Sequence, residues 1–376
     1  MKKILNLIFC FLKSKKIFSV EKKNFIIFDC IGSEILSKIL PEDQTTIISS
    51  RFNLIKVILI NFRVLIFLIK NLFLRSIQIN YFISLIDQIN PKFVITTIDN
   101  SITFSILAKY FEKKIKFIPI QNATRRDFTY TNQSQKKNFY FTNYLGLSEF
   151  DHSFMRNNGI KVKNFIAAGS LKSSYFRNII CDKEIRPDKK YDICLVGKNI
   201  FNKESNHNNT YLKPTLKIFR YAAKYAKKFN KSLLISTKSF FNNEESETYK
   251  EIFRNTKYHV SWFQKDDVLF KSYKNVFYSK LIIGAPSTLL REASAFPDTK
   301  IICFETTSNK KDTPFSSAEN INNIFYEIFE QKLNLIEKLQ YEEYLKSKYY
   351  EQNVIKNINT VKFLINSLEK KQSIFI

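Results

Sequence analysis

The stretch that most limits what this chain can become is Lys280–Glu305, KLIIGAPSTLLREASAFPDTKIICFE. Leu281-Ile282-Ile283 is a short apolar run of the kind that fills a buried strand. Gly284-Ala285-Pro286 ends it, because glycine is conformationally permissive and proline cannot continue a ladder. Ser287 and Thr288 then stand where a helix begins, with hydroxyls suited to cap it. Lys300–Phe304 is a second apolar run. Strand, turn, helix, strand makes one half-Rossmann βαβ element. It predicts a parallel sheet that takes ligands at the strands' carboxyl ends, where free helix N–H groups attract phosphate. A phosphate site and a plain capped helix in a core fit the pattern equally.

The rest of the chain repeats the theme. Asn24–Asp29 predicts a first parallel strand, Ile31-Gly32-Ser33 a turn into a helix through Leu40, and Thr45–Ser49 a second strand. With one glycine in that turn the GxGxxG fingerprint is absent, which disfavours NAD chemistry. Leu54–Leu74 is the most apolar segment. Lys56, Arg63 and Lys70 recur in it every seven residues and predict one amphipathic helix, buried on a sheet or pressed on a membrane interface. Charges at its centre argue against a spanning helix. Tyr81–Asn90 reads as a helix stopped by Asn90-Pro91. Phe93–Ile98 follows as a central strand, Ile102–Phe111 as a helix and Lys116–Ile120 as the next strand. Phe139–Leu147 and Asn164–Ala168 are further strands, with a helix over Glu149–Asn157 between them.

Cys181–Lys190, polar and proline-bearing, is the best linker. Beyond it Tyr191–Val196 restarts the strand pattern, and a Lys-rich helix over Tyr211–Phe229 leads to a strand at Ser232–Ser236. The expected division is a first Rossmann-like domain at 1–180, a second at 191–350, and a last helix in 351–376 that packs back on the first.

The formal charge is +26, from 60 Lys and Arg against 34 Asp and Glu. Such a field favours phosphate-rich substrates, anionic lipid or nucleic acid. Part of it follows from AT-rich coding, since Lys, Asn, Ile and Phe crowd a chain with only 6 glycines. The basic residues are dispersed and no RNA or DNA motif is present, which disfavours nucleic acid. Five scattered cysteines without CxxC argue against a disulfide framework or a zinc site and fit a reducing cytoplasm. His152, His207 and His259 lack ligand spacing, so neither metal nor cofactor is expected. Near the amino terminus, lysines bracket an apolar core of nine residues, too short to span a bilayer. No small-residue cleavage site follows. Met1–Lys16 either rests on a membrane surface or frays.

Candidate site residues follow from the strand ends. Asp99 ends Phe93–Ile98, and Arg125 and Arg126 lie in the loop after Lys116–Ile120, so all three share one carboxyl edge. A carboxylate there can take an acceptor's hydroxyl proton; the alternative is that it caps the helix starting at Asn100. Arg125 and Arg126 can clamp a diphosphate bidentately, or pair with Asp127. In the second domain Gly197 and Lys198 end the first strand and Lys238 ends the next, where a glycine admits a donor backbone-close and lysines meet phosphate. Ser287 and Thr288 offer hydroxyls and N–H groups to the same phosphate.

Two Rossmann-like halves, a linker and a helical tail resemble the GT-B glycosyltransferases. VITTIDNSITFSILAKYFEKKIKFIPIQNATRRDF is similar to the strand–Asp–helix–strand–loop segment of the nucleotide-sugar 2-epimerases and related GT-B proteins. With YDICLV and IIGAPSTLLREASAF, it resembles a family of surface carbohydrate biosynthesis proteins of bacterial O-antigen and capsule clusters. It is more distantly similar to the glycerophosphotransferases of teichoic acid synthesis. The likeness covers about residues 24–305. It departs from the pattern at Ile31-Gly32, where a double glycine is common, and in having no histidine after a strand.

The resemblance implies an α/β fold of two Rossmann-like domains facing across a cleft, with Glu292 holding the donor ribose. It implies a glycosyltransferase that moves a sugar, or a polyol-phosphate-like group, from a nucleotide-activated donor to a lipid-linked or glycan acceptor. With no DxD pair, that reaction would be metal-independent. The expected location is cytoplasmic, peripheral on the inner face of an anionic membrane. The rival expectations are a nucleotide-sugar epimerase on the same fold and a non-catalytic membrane or nucleic-acid binder.

Overall fold

The computed structural model describes residues 11–51, 54–125, 139–180, 188–197, 208–263, 270–306, 314–315, 317–350 and 364. The chain divides into two compact units, Met1–Lys172 with Asn359–Ile376, and Ser173–Ile358. Of the carboxyl-terminal helix expected in 351–376, only Leu364 is described; it is helical and buried.

The first stretch runs β1 (Lys15–Ile17), β2 (Phe25–Phe28), α1 (Leu36–Ile39), β3 (Thr45–Ile48), β4 (Val57–Leu59), α2 (Phe62–Lys70), α3 (Ile77–Ile89), β5 (Phe93–Thr96), α4 (Ile102–Tyr110), β6 (Lys116–Pro119), β7 (Tyr140–Gly146), α5 (Glu149–Asn157), β8 (Lys161–Ala167) and α6 (Leu171–Ile180). A four-stranded parallel sheet has the order β3-β2-β5-β6, with Ile26 opposite Val94 and Val94 opposite Phe117. The parallel pair β7-β8 extends it through a bridge between Ile120 and Leu145. Both faces of the central strands β2, β5 and β6 are buried, which is why Phe25–Phe28 reads as an unbroken apolar run instead of alternating. Ile26, Phe28, Val94 and Phe117 pack with Phe82 and Ile86 of α3 and Phe104 and Leu107 of α4 in one core.

Leu54–Leu74 is not the single helix its seven-residue charge spacing predicts. Val57–Leu59 is a strand pairing with Lys15–Ile17, and the Asn61 side chain accepts from Val64 N–H to start a helix only at Phe62. The polar cap at Asn61 resets the chain, so Lys56 does not share a helical face with Arg63 and Lys70. The pairing also gives the basic amino-terminal segment a strand at Lys15–Ile17; its first ten residues lie outside the described ones.

The second unit runs β9 (Tyr191–Val196), α7 (Asn208–Lys228), β10 (Ser232–Ser236), α8 (Asn243–Ile252), β11 (Lys257–Ser261), α9 (Lys271–Phe277), β12 (Ser279–Gly284), α10 (Thr288–Ala293), β13 (Lys300–Glu305), β14 (Glu319–Asn320), α11 (Tyr326–Lys338) and α12 (Tyr341–Lys346). Its six strands are all parallel in the order β11-β10-β9-β12-β13-β14. Side chains alternate between two cores. Ile193, Leu195, Leu281 and Ile283 meet α7 and α11 on one face; Cys194, Val196 and Ile282 meet α9 and α10 on the other. Burying a leucine such as Leu195 contributes about 1.5–3 kcal/mol. Burial also pushes the Cys194 thiol up to about 12, so it is an inert core residue. No helix among the described residues is long and apolar enough to cross a membrane.

Candidate functional site

Each sheet has its own reversal of strand order, and each is described by itself. In the first, β3 lies on one side of β2 while β5 and β6 lie on the other. Ligands of sheets wound this way settle beyond the carboxyl ends at that reversal. Here those ends carry the Asp29–Gly32 turn and Thr97. Asp29 is buried with φ 83°; its Oδ1 accepts from Ile31 N–H at 3.3 Å and its Oδ2 from the Ser50 hydroxyl at 2.8 Å and Arg51 Nε at 3.3 Å. Gly32 has φ 76°, and a Cβ there would stand 2.5 Å from Thr97 Oγ1, so only glycine fits. The Thr97 hydroxyl donates to the Gly32 carbonyl at 3.2 Å. Gly32, Thr97, Gln121, Asn122, Ser170 and Lys172 line a small crevice at this edge.

Beside it Asp99 and Arg125 are in direct contact. Arg125 Nε donates to Asp99 Oδ2 at 2.9 Å, its Nη2 donates to Asp99 Oδ1, and the Tyr144 hydroxyl donates to Asp99 Oδ2 at 2.7 Å. Asp99 is fully buried and the Arg125 side chain is 10% exposed. This revises the expected role of Asp99 as a proton acceptor: both its oxygens are engaged and neither reaches solvent. Nor does it cap the following helix, because Ser101 does so by accepting from Phe104 N–H. What the carboxylate does is hold a guanidinium. Arg125 Nη2 also donates to Asn122 Oδ1 at 3.1 Å, which links the buried pair to the crevice wall. Gln121 fixes the same wall: its amide donates to Asp151 Oδ1 at 2.7 Å and its carbonyl accepts from Leu147 N–H. Arg126 lies outside the described residues.

In the second sheet the order reverses between β9 and β12, whose ends are Gly197 and Gly284. A Cβ on Gly284 would come within 3.2 Å of the Val196 carbonyl, so glycine lets the two strand ends lie close. Ser287 caps α10, its oxygen accepting from Leu290 N–H at 3.1 Å; Ser287 and Thr288 are half-buried. Lys238 is exposed just past the end of β10. Gly197, Lys238, Ser287 and Thr288 thus stand along one edge, while Lys198 lies outside the described residues. Glu292 of α10 points into the core. It is 3% exposed, and its Oε2 accepts from the Tyr273 hydroxyl of α9 at 2.8 Å.

Several residues here were missed from sequence. Thr97, Gln121 and Asn122 flank the expected residues and bear only the generic signal of polar groups after a strand. Glu245 is fully buried beside the end of β9, accepts from the Tyr249 hydroxyl at 2.6 Å, and has its carboxyl pushed up by burial. A Cβ on Gly197 would lie 3.7 Å from that hydroxyl. The available signal was Asn242, which caps α8 three residues earlier. Among the described residues no group of three or more His, Cys, Asp or Glu is placed to hold a metal ion.

Two Rossmann-like α/β units, each with a polar carboxyl edge at its reversal, define a fold of the GT-B class. No family model matches the chain and no curated protein matches it in sequence; the likeness to known proteins is one of fold. A putative UDP-N-acetylglucosamine 2-epimerase from Listeria monocytogenes superposes with TM-score 0.54 at 9% identity, covering 96% of this chain and 98% of that one. A UDP-GlcNAc 2-epimerase from Neisseria meningitidis, bound to UDP-GlcNAc, gives 0.55 at 13% identity over 92% and 98%. The MurG protein of Acinetobacter baumannii gives 0.50 at 10% identity over 93% and 99%.

Proposed function

We propose that this protein is a glycosyltransferase of surface polysaccharide biosynthesis, such as O-antigen or capsule. It moves a sugar, or a polyol-phosphate-like group, from a nucleotide-activated donor to a lipid-linked or glycan acceptor at the cytoplasmic face of an anionic membrane. The observation that carries this reading is the second unit's edge. A glycine-lined reversal, an exposed lysine at Lys238 and the capping hydroxyl of Ser287 converge there on one row of strand ends. That suits a nucleoside diphosphate, and one protein of similar fold binds UDP-GlcNAc.

In this reading the Ser287 hydroxyl keeps its proton to donate to a donor phosphate while its oxygen caps the helix. Gly197 admits the donor close to the backbone; Lys198, Lys238 and Thr288 add charge and hydrogen bonds to the diphosphate. Glu292 would hold the ribose only by exchanging its Tyr273 bond. In the first unit Arg125, its charge balanced by Asp99, braces Asn122 at the crevice wall, and Arg126 is assigned the cationic role there. Fixed cations of this kind stabilise the charge that develops on a leaving diphosphate without a metal.

Titration with a panel of nucleotide sugars, read by thermal shift, tests donor binding, since a ligand of the native state raises its stability. Failure of every nucleotide-activated donor to shift the transition would sink the proposal. The epimerase reading is favoured by the names of two similar structures. It predicts a changed sugar from donor alone, whereas transfer requires acceptor.

A further inference from the structure

We infer that the outer face of α2 and the turn after it form a docking surface for anionic lipid. This deepens the peripheral placement proposed above and rests on it. Vesicle binding and donor binding are separate measurements, so failure of one is distinguishable from failure of the other. Helix α2 is apolar on both sides. Val64, with Phe67 and Leu68, faces the core, and that accounts for one side. Phe62, Leu65 and Ile69 face outward, with Phe62 and Ile69 at 76% and 74% exposed. The turn that follows adds Leu74 at 70% and Phe73 at 97%. Packing among the described residues does not account for a phenylalanine so bare, and here it continues a patch rather than standing alone.

Charge selects the occupant. No aspartate or glutamate occurs anywhere from Gln44 to Ile86, whereas Arg63 and Lys70 are exposed on α2 itself and Lys56 is exposed just before β4. Lys15 joins them through the pairing of β1 with β4. A second copy of this chain would bring the same cations against themselves. An anionic bilayer gives the aromatic and aliphatic groups an acyl boundary and the cations a phosphate layer, which is how interfacial helices with basic flanks sit. In the same unit an apolar cavity of about 600 Å³ between β3, β4 and α3, lined in part by the exposed Ile47 and Val57 with Leu59 and Tyr81, can accept an acyl chain.

The test is sedimentation of the full chain with phosphatidylcholine vesicles, with and without phosphatidylglycerol. The expected result is binding to the anionic vesicles only, weakening as salt rises. The double variant F73S/I69S should lower the bound-to-free ratio about tenfold or more, with an unchanged melting temperature because both side chains are exposed. R63Q/K70Q should remove the preference for phosphatidylglycerol. Wild-type protein that ignores anionic vesicles overturns the inference, as does F73S/I69S binding as well as wild type. Self-association abolished by F73S, without vesicle binding, also overturns it and assigns the face to a second copy.

Discussion

Removing the Asp99 carboxylate is the sharpest perturbation available. Asp99→Ala deletes the group that accepts two bonds from Arg125 and one from the Tyr144 hydroxyl, in a place where Asp99 is fully buried and Arg125 is 10% exposed. Breaking a buried ion pair by removing one partner costs about 3–5 kcal/mol, because the remaining charge loses its compensation where water cannot replace it. Urea unfolding followed by circular dichroism reads this directly. With a slope of about 3 kcal/mol per molar, the midpoint falls by roughly 1 M or more. The paired variant D99A/R125A should be much less harmful than the two single changes summed, because both charges leave together. An orienting carboxylate predicts that D99N also loses stability. A proton-accepting Asp99 predicts instead that D99N folds normally and only fails in turnover. A D99A cost under about 1 kcal/mol, or strict additivity with R125A, would refute the reasoning.

Gly32→Ala should cost about 1–2 kcal/mol for its positive φ and about 1–3 kcal/mol more for the contact with Thr97 Oγ1. Adding T97A should recover only the second part in a denaturant titration. S287A should lose about 1 kcal/mol of helix capping together with donor affinity, whereas S287D should keep the cap and still lose the donor by charge repulsion. Glu245 has its carboxyl raised by burial, so the fold favours the protonated form. The stability this gives is complete below the ordinary Glu range and is lost as pH rises through the raised value. E245Q should therefore melt higher than wild type at neutral pH, with the gap closing in acid; parallel melting curves across pH would contradict it.

What could be read from the chain alone depended on where the information resides. Tyr191–Val196, Ser232–Ser236 and Glu149–Asn157 were legible to the residue, because a buried parallel strand is an apolar run with polar ends and a capped helix announces itself at Ser148. Leu54–Leu74 was not, since its apolar residues run on without a strand's alternation and the seven-residue spacing of Lys56, Arg63 and Lys70 imitates one helix, while the division hangs on the cap at Asn61. Helix α6 was missed for the opposite reason: Lys172, Ser173 and Ser174 give it little hydropathy, and its anchor Phe176 matters only once the core around it exists. The strand ends named Asp99 and Arg125 as neighbours on one edge. That the two side chains would pair with each other was not legible, because strand ends name neighbours but not the direction in which each side chain turns; the Tyr144 hydroxyl of β7 then completes the bonding of the carboxylate.

The wall of the first unit's crevice is built before any ligand arrives. Gln121 is tied on one side by its own N–H to the Leu145 carbonyl and on the other by its side chain to Asp151 and Leu147, and Asn122 is steadied by Arg125. A guest entering there meets the donors and acceptors of Gln121 and Asn122 already aimed, so it loses little affinity to ordering those two residues. Selectivity at Gln121 and Asn122 should accordingly be rigid: an ill-shaped ligand is refused rather than accommodated by a slow adjustment of these side chains.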